Sequence, residues 1–372
     1  MKRLVLLLSS ALILACNSPE PDSTARNTLT VSATMGGTPD PGFRRVLKPR
    51  NFEFPADHAA HPEYATEWWY FTGNLQSMHG ERFGYQLTLF RIGLRPGAAA
   101  EDSTWRSHQL YMGHLALSDI AQQQHLSTER FSRAAAGLAG TQANPLRIWL
   151  GPWSISGSSG QTFPLTLSAS SDTFSIDLHL RASHKPLVLQ GDHGLSQKSA
   201  APGNASYYYS YTRLPTSGKI RFQDRDIEVE GNSWFDREWS SSALASDQAG
   251  WDWFSLQLDN GQDLMFYQMR GKDGQPQEYS QGVLVDQQGR AQKLSLNNTR
   301  LKAVDSWTSP EGTIYPIGWQ MQIPQHAIDI NIEAAIADQE MLHTVPYWEG
   351  AVTVSGSHDG VGYLELSGYS RN

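Results

Sequence analysis

EWWYFTGNLQSMHGERFGYQLTLFR, residues Glu67 to Arg91, decides the fold. Glu67 to Leu75 and Arg82 to Phe90 each alternate with a period of two, and a short polar stretch divides them, so the segment reads as a β-hairpin. Alternation puts Glu67, Trp69 and Phe71 on one face of the first strand and Trp68, Tyr70 and Thr72 on the other. Large aromatics on both faces mean a strand covered on both sides, as when one face of a barrel wall lines a cavity and the other packs against a second domain. The plainer alternative is that these rings are core and nothing more.

Similar short runs recur along the chain: Ser175 to Leu180, Trp253 to Leu258, Leu264 to Arg270, Ala351 to Ser355 and Tyr363 to Gly368, divided by Gly, Asn, Asp and Pro. Asn331 to Leu342 is the one helix candidate. The pattern is that of an all-β sandwich or barrel protein. WFSLQLDNGQDLMFYQMR, Trp253 to Arg270, repeats the first hairpin: it is led by aromatics and returns through an apolar strand ending in Arg. Its turn, Asp259-Asn260-Gly261, is a strong hairpin signal because Asn and Gly tolerate positive φ. Two related β domains joined near Ser242 to Gly250 is the economical reading.

The N-terminal MKRLVLLLSSALILAC has two cations, an apolar run too short to span a bilayer, and a small residue before Cys16. This is the layout of a secretory signal, residues 1–15, ending in what looks like a bacterial lipobox. Cys16 would then be the lipidated N-terminus, and residues 16–45, rich in Ser, Thr, Pro and Gly, a flexible tether. The expectation is an exported protein held by lipid on the periplasmic face of the envelope, with Asn17 favouring the outer membrane. Cys16 is the only cysteine, so there is no disulfide framework and no thiolate metal site. Without Lys2 and Arg3 the balance is 27 minus 37, or −10, which disfavours nucleic acid as a partner. With 12 Trp, 14 Tyr and 13 Phe there is surplus aromatic surface to place, and a lined pocket becomes a real alternative to plain core. Its candidate ligand-facing rings are Trp69, Tyr85, Tyr209, Trp234 and Trp253.

The chemistry-bearing stretch is NSWFDREWSSS, Asn232 to Ser242. As a strand it places Trp234, Asp236 and Glu238 on one face and Phe235, Arg237 and Trp239 on the other. Arg237 therefore cannot easily neutralise its sequence neighbours. Two carboxylates on one face beside a Trp are desolvated and repel, and both effects raise a carboxyl pKa. One of them is a candidate general acid. The structural alternative is an ordinary ion pair with Arg91, Arg213 or Arg270, or a turn cap by Asp236. His114, in the apolar strand YMGHLALSD, is a candidate acid, base or hydrogen-bond donor, with a satisfied core histidine as its alternative. Glu67 and Arg237 are candidates for a supporting role. His58 and His61 lie on a Pro-flanked loop, and no histidine set has metal-ligand spacing, so no metal and no cofactor is expected. There is no phosphate loop and no Gly-x-Ser-x-Gly elbow, which leaves a secreted hydrolase as a weak alternative.

Several stretches taken together resemble one family. They are DHAAHPEYATEWWYFTGNL, HLALSD, YYYSYTRLPTSG, GNSWFDREWSSS, WDWFSLQLDNG, IYPIGW, YWEGAVTVSG and GYLELSGY, running in order from about Asp57 to Tyr369. The resemblance is to the secreted lipocalin-like proteins related to carotenoid 1,2-hydratase (hydroxyneurosporene synthase) and to the AttH component of bacterial export operons. It implies two consecutive lipocalin-like β-barrel domains packed side by side, 46–242 and 243–372. A hydrophobic cavity is implied in the N-terminal barrel or at the junction. In the hydratases an Asp at this point of the chain protonates a double bond of an acyclic carotenoid. By position it matches Asp236, with Trp234 and Trp69 as rings facing the cation. The flanking Asp-Arg-Glu-Trp-Ser resembles the secreted, functionally undefined branch instead.

Two functions follow as expectations. One is an envelope-anchored protein binding an apolar, lipid or isoprenoid-like ligand, with an ABC-type permease as partner. The other is a hydratase acting on such a ligand through Asp236 or Glu238. Carbohydrate binding or cleavage on an exposed Trp groove stands behind both.

Overall fold

The computed structural model describes residues 40–97, 107–242 and 244–370. The signal segment, Cys16 and residues 16–39 of the expected tether lie outside the described residues. Almost all regular structure is β; the described helices are two 3-10 turns, Ala56–His58 and Pro324–His326.

Thirteen strands form the first sheet: β1 (Thr66–Ser77), β2 (Arg82–Gly93), β3 (Gln109–Asp119), β4 (Gln124–Arg133), β5 (Ala139–Gln142), β6 (Arg147–Leu150), β7 (Trp153–Ser156), β8 (Leu165–Ser170), β9 (Phe174–Leu180), β10 (Val188–Leu189), β11 (Leu195–Gln197), β12 (Ala205–Phe222) and β13 (Arg225–Ser240). Ten form the second: β14 (Gln248–Leu258), β15 (Asp263–Gly271), β16 (Gln281–Val285), β17 (Ala291–Ser295), β18 (Arg300–Thr308), β19 (Ile314–Ile323), β20 (Ile328–Ala334), β21 (Glu340–Met341), β22 (Tyr347–Gly356) and β23 (Gly360–Leu366). In each sheet the first strand sits in the middle, flanked by its hairpin partner and by the sheet's last strand. The orders are β4-β3-β2-β1-β13-β12 and β17-β16-β15-β14-β23-β22. Pairing the first strand with the last rolls each sheet on itself, giving two lipocalin-like barrels side by side. The Asp259-Asn260-Gly261 hairpin turn forms as the sequence indicates, with Gly261 at a φ of +81°.

The Asn331–Leu342 helix is a correction. Ile328, Ile330 and Ile332 alternate inward with Asp329, Asn331 and Glu333 outward, and the segment is strand β20 followed by an irregular stretch and the short β21. The helix-forming residues after Ala334 misled because the β-branched run that sets the period begins three residues before Asn331.

Three large apolar clusters among the described residues follow from the alternation. One fills the first barrel and contains Trp69, Phe71, Tyr85, Tyr209, Phe235 and Trp239. One fills the second, with Phe254, Leu256, Trp348 and Leu364. The third lies between the barrels and takes the opposite faces of the same strands: Tyr70, Tyr208 and Trp234 from the first sheet, Trp253, Tyr267 and Tyr363 from the second. The sheets approach closely there. A Cβ on Gly84 of β2 would come within 2.7 Å of the Tyr363 hydroxyl and 2.8 Å of the Ala351 Cβ, so only glycine fits. Aromatics on both faces of β1 and β13 are thus explained: one face is barrel core and the other is inter-barrel wall.

Candidate functional site

Between the two barrels lies a cavity of about 130 Å³. Its walls are largely apolar, with Trp68, Phe90, Met112, Trp251, Trp253 and Met269 among them. Set into these walls are Asp236 and Glu238 from β13, Glu349 from β22, Glu365 from β23, and Lys198 from the segment after β11.

Strand alternation decides which charges of Ser233 to Trp239 reach the cavity. Arg237 points the other way, into the first barrel, where its guanidinium pairs with Glu67 on β1 and stacks 4.1 Å from the Trp69 ring centroid. Arg91 holds the other Glu67 oxygen, and the side chains of all three residues are fully buried. Burial works against the Glu67 charge, but Arg237 and Arg91 outweigh it and hold the carboxyl well below its usual range. Glu67 also accepts the His61 backbone N–H with both oxygens at 3.0 Å, so the network ties down the loop before β1. This is a structural ion cluster.

Among the described residues Asp236 has no cation as partner. Arg91 is taken by Glu67, Arg213 by Asp263 and Arg270 by Asp252. Three neutral donors hold Asp236 instead: Ser210 Oγ at 2.5 Å and Trp234 Nε1 at 2.6 Å on Oδ1, and the Tyr208 hydroxyl at 2.5 Å on Oδ2. Burial dominates over these bonds, and with the neighbouring Glu238 charge it pushes the carboxyl up to about 7. Near neutral pH the group is therefore poised between acid and base. Trp253, from the second barrel, donates its indole N–H to the Tyr208 oxygen at 3.2 Å. A hydroxyl has one proton and two lone pairs. When Asp236 is protonated and donates to Tyr208, the Tyr208 proton is free to turn into the cavity, which gives Asp236 a hydrogen-bonded route to a ligand.

Glu238 is paired with Lys198 Nζ at 3.2 Å. Burial opposes the Lys198 charge, yet Glu238 and Tyr267 hold its pKa above the ordinary value. His114 lies on the cavity wall between two partners: Nε2 faces Glu129 Oε1 at 3.1 Å and Nδ1 faces the Tyr347 hydroxyl at 2.8 Å. With Nε2 protonated toward Glu129, Nδ1 accepts the Tyr347 proton, forming a carboxylate–imidazole–phenol chain that ends at the cavity.

Of the candidate site residues, the structure brings Asp236, Glu238, His114, Trp253 and an edge of Glu67 to one cavity, with Trp234 behind Asp236 as a donor. Trp69, Tyr85 and Tyr209, expected as ligand-facing rings, lie away from this cavity. Trp69 donates to the His58 carbonyl at 2.8 Å, Tyr85 bonds Ser233 at 2.5 Å and Tyr209 bonds His58 Nδ1 at 2.5 Å, all inside the first barrel. The neighbouring residues Trp68, Tyr70 and Tyr208 take the cavity face. Sequence reasoning missed Lys198, Glu349 and Glu365. A signal was present for the last two: each is a Glu amid apolar residues, in YWEGAV and YLEL. On the alternation, Glu349 shares a face with Tyr347 and Ala351, and Glu365 with Tyr363.

A family model described as AttH-like matches residues 45–369. The chain is similar to a crystal structure described as an AttH candidate from Nitrosomonas europaea, with 33% identity over 88% of this chain and 100% of that one and a TM-score of 0.79. It shares the fold of kievitone hydratase from Nectria haematococca, with 13% identity over 91% of this chain and 99% of that one and a TM-score of 0.67. No curated protein matches it.

Proposed function

The chain belongs to the AttH-like family, and on that premise and the geometry of the inter-barrel cavity we propose that it binds a small, largely apolar ligand there and transfers a proton to it from Asp236. The observation that carries this reading is a carboxyl 3% exposed, without a cation among the described residues, on the wall of an aromatic cavity and with its pKa pushed up to about 7. A group of that kind suits general acid work at physiological pH.

The reaction class we assign is addition of water to a carbon–carbon double bond, or its reversal. The Asp236 O–H bond breaks as a C–H bond forms, directly or through Tyr208. The cation on the adjacent carbon lies among the Trp253 and Tyr70 rings. Water closes the addition by forming a C–O bond, and its surplus proton returns to the Asp236 carboxylate. A protein of the same fold carries the name kievitone hydratase; for this chain hydration is our proposal. A lipid anchor at Cys16, an exported location and an ABC-type exporter as partner belong to the same proposal and rest on the sequence alone.

A second reading has its own observation. Three donors already satisfy Asp236, so the group also suits a purely structural role in a carrier that turns nothing over. Native mass spectrometry of the protein from its own host, beside Asp236→Asn, separates the two. A hydrated ligand in wild type and a ligand lighter by one water in the variant supports the enzyme. The same ligand in both supports the carrier.

A further inference from the structure

The second barrel's side of the cavity carries two glutamates that no cation among the described residues neutralises. Glu349 on β22 and Glu365 on β23 are register partners on adjacent antiparallel strands. Their side chains therefore leave the sheet side by side, and like charges directly opposite are destabilising. Glu349 is 1% exposed and lines the cavity, and among the described residues neither of its carboxyl oxygens has a hydrogen-bond partner of good geometry. The Tyr70 and Tyr347 hydroxyls lie close enough to act on it without forming a bond of good geometry. Glu365 accepts one bond, from Trp251 Nε1 at 2.9 Å. The cationic groups on the cavity wall are committed elsewhere, Lys198 to Glu238 and Arg91 to Glu67, and the His114 imidazole sits between Glu129 and the Tyr347 hydroxyl. Burial and the Glu365 charge push Glu349 well above the usual range, and burial with the charges of Glu238 and Asp236 pushes Glu365 up to about 7. A pair like this persists by holding a proton or by meeting a positive charge.

Lys198 shows how this cavity accommodates a positive charge. Its Nζ sits against Glu238 and 4.2 Å from the Tyr267 ring centroid, a carboxylate combined with an aromatic face. The Glu349–Glu365 pair repeats the combination, with Tyr70 and Trp253 packed edge to face at 5.1 Å on the same cavity wall. Among the described residues no group of three His, Cys, Asp or Glu side chains could hold a metal ion, so the chemistry suits a large, soft organic cation.

We propose that Glu349 and Glu365 form a subsite for an organic ammonium group, so that the ligand is a largely apolar molecule carrying one positively charged amine. The carboxylates neutralise its charge and the rings cover its alkyl substituents. The inference rests on the cavity being the ligand site and is independent of any reaction there.

The test compares benzyltrimethylammonium with neopentylbenzene, its uncharged carbon isostere, using tryptophan fluorescence and calorimetry near pH 6. The groups facing the pair are Asp236 and Glu238 from β13, Tyr70 from β1 and Tyr347 from β22. The expected result is that the ammonium binds at least about tenfold more tightly than the isostere. Its binding releases protons to the buffer, and Glu349→Gln, checked for an unchanged melting profile, abolishes both effects. Glu365→Gln, which leaves the Glu349 side chain itself intact, should do the same. Equal binding of the two probes, or a preference for the isostere, overturns the cation subsite and leaves the apolar cavity standing. Binding of neither probe overturns the subsite and also removes the cavity as a ligand site.

Discussion

Tyr208 donates its hydroxyl to Asp236 at 2.5 Å while accepting the indole N–H of Trp253 from the other barrel at 3.2 Å. The donor to the candidate acid is thus itself positioned by the second barrel, which makes the state of Asp236 a property of the docked pair. Tyr208→Phe removes one donor to the ionised carboxyl. Asp236 should then titrate about 1–2 pH units higher, the shift expected for losing a hydrogen bond to a charged group. Carbon-13 shifts of labelled Asp carboxyls across pH read this directly, and no shift on going to Phe would mean that the bond does not tune the acid.

The pH dependence of stability has a definite sign. Asp236 is raised from 3.8 to about 7 in the folded state, so between those values the folded protein binds more protons than the unfolded chain. Its contribution to stability is therefore full below about pH 4 and is lost as pH rises through 7. At about 1.4 kcal/mol per unit, a rise from 3.8 to about 7 is worth about 4 kcal/mol. Relative to wild type, Asp236→Asn should gain stability between pH 5 and pH 8, measured as the difference in denaturation midpoint at each pH. A difference that is flat with pH would place the Asp236 titration outside this window.

Glu67 has the opposite sign. Its pKa is depressed by Arg237 and Arg91, so its contribution is present above about 4.5 and fades as pH falls below it. Glu67→Ala leaves two guanidiniums buried without a counter-charge and should cost at least about 3 kcal/mol. Glu81→Ala breaks the exposed pair with Arg225 and should leave the melting temperature almost unchanged. Equal effects from the two substitutions in thermal melts would contradict the assignment of Glu67 as the buried anchor of the first barrel.

The faces of the decisive strands were legible in the sequence because period-two alternation in Glu67 to Thr72 and Trp234 to Trp239 is uninterrupted. What lay against each face was not. Glu67 and Arg237 are 170 residues apart, and their contact depends on the β1–β13 register, in which Trp69 faces Arg237 and Glu67 faces Trp239. No local pattern encodes that register. For the same reason a buried aromatic could be assigned to a face without knowing whether the face was barrel core or inter-barrel wall. The Trp69, Tyr85 and Tyr209 rings pack in the first barrel's core, while Asp236, Glu238 and Trp253 line the inter-barrel cavity.

Gly84 tests whether the cavity depends on close docking of the two sheets. Gly84→Val would drive side-chain atoms into Tyr363 and Ala351. Overpacking of this kind costs about 1–3 kcal/mol. The expected outcome is faster proteolysis between Ser240 and Gln248 and weaker ligand retention, with the far-ultraviolet circular dichroism of both barrels kept. Unchanged proteolysis and retention would show that the barrels tolerate separation.

The most direct measurement of proton delivery by Asp236 is deuterium transfer. Apolar extract of the native host is incubated in heavy water with wild type or Asp236→Asn and followed by mass spectrometry. Proton transfer from Asp236 predicts a compound that gains one carbon-bound deuterium and one water equivalent with wild type and remains unlabelled with the variant. Identical spectra from the two proteins, with a bound ligand shown to occupy the cavity in both, would contradict it.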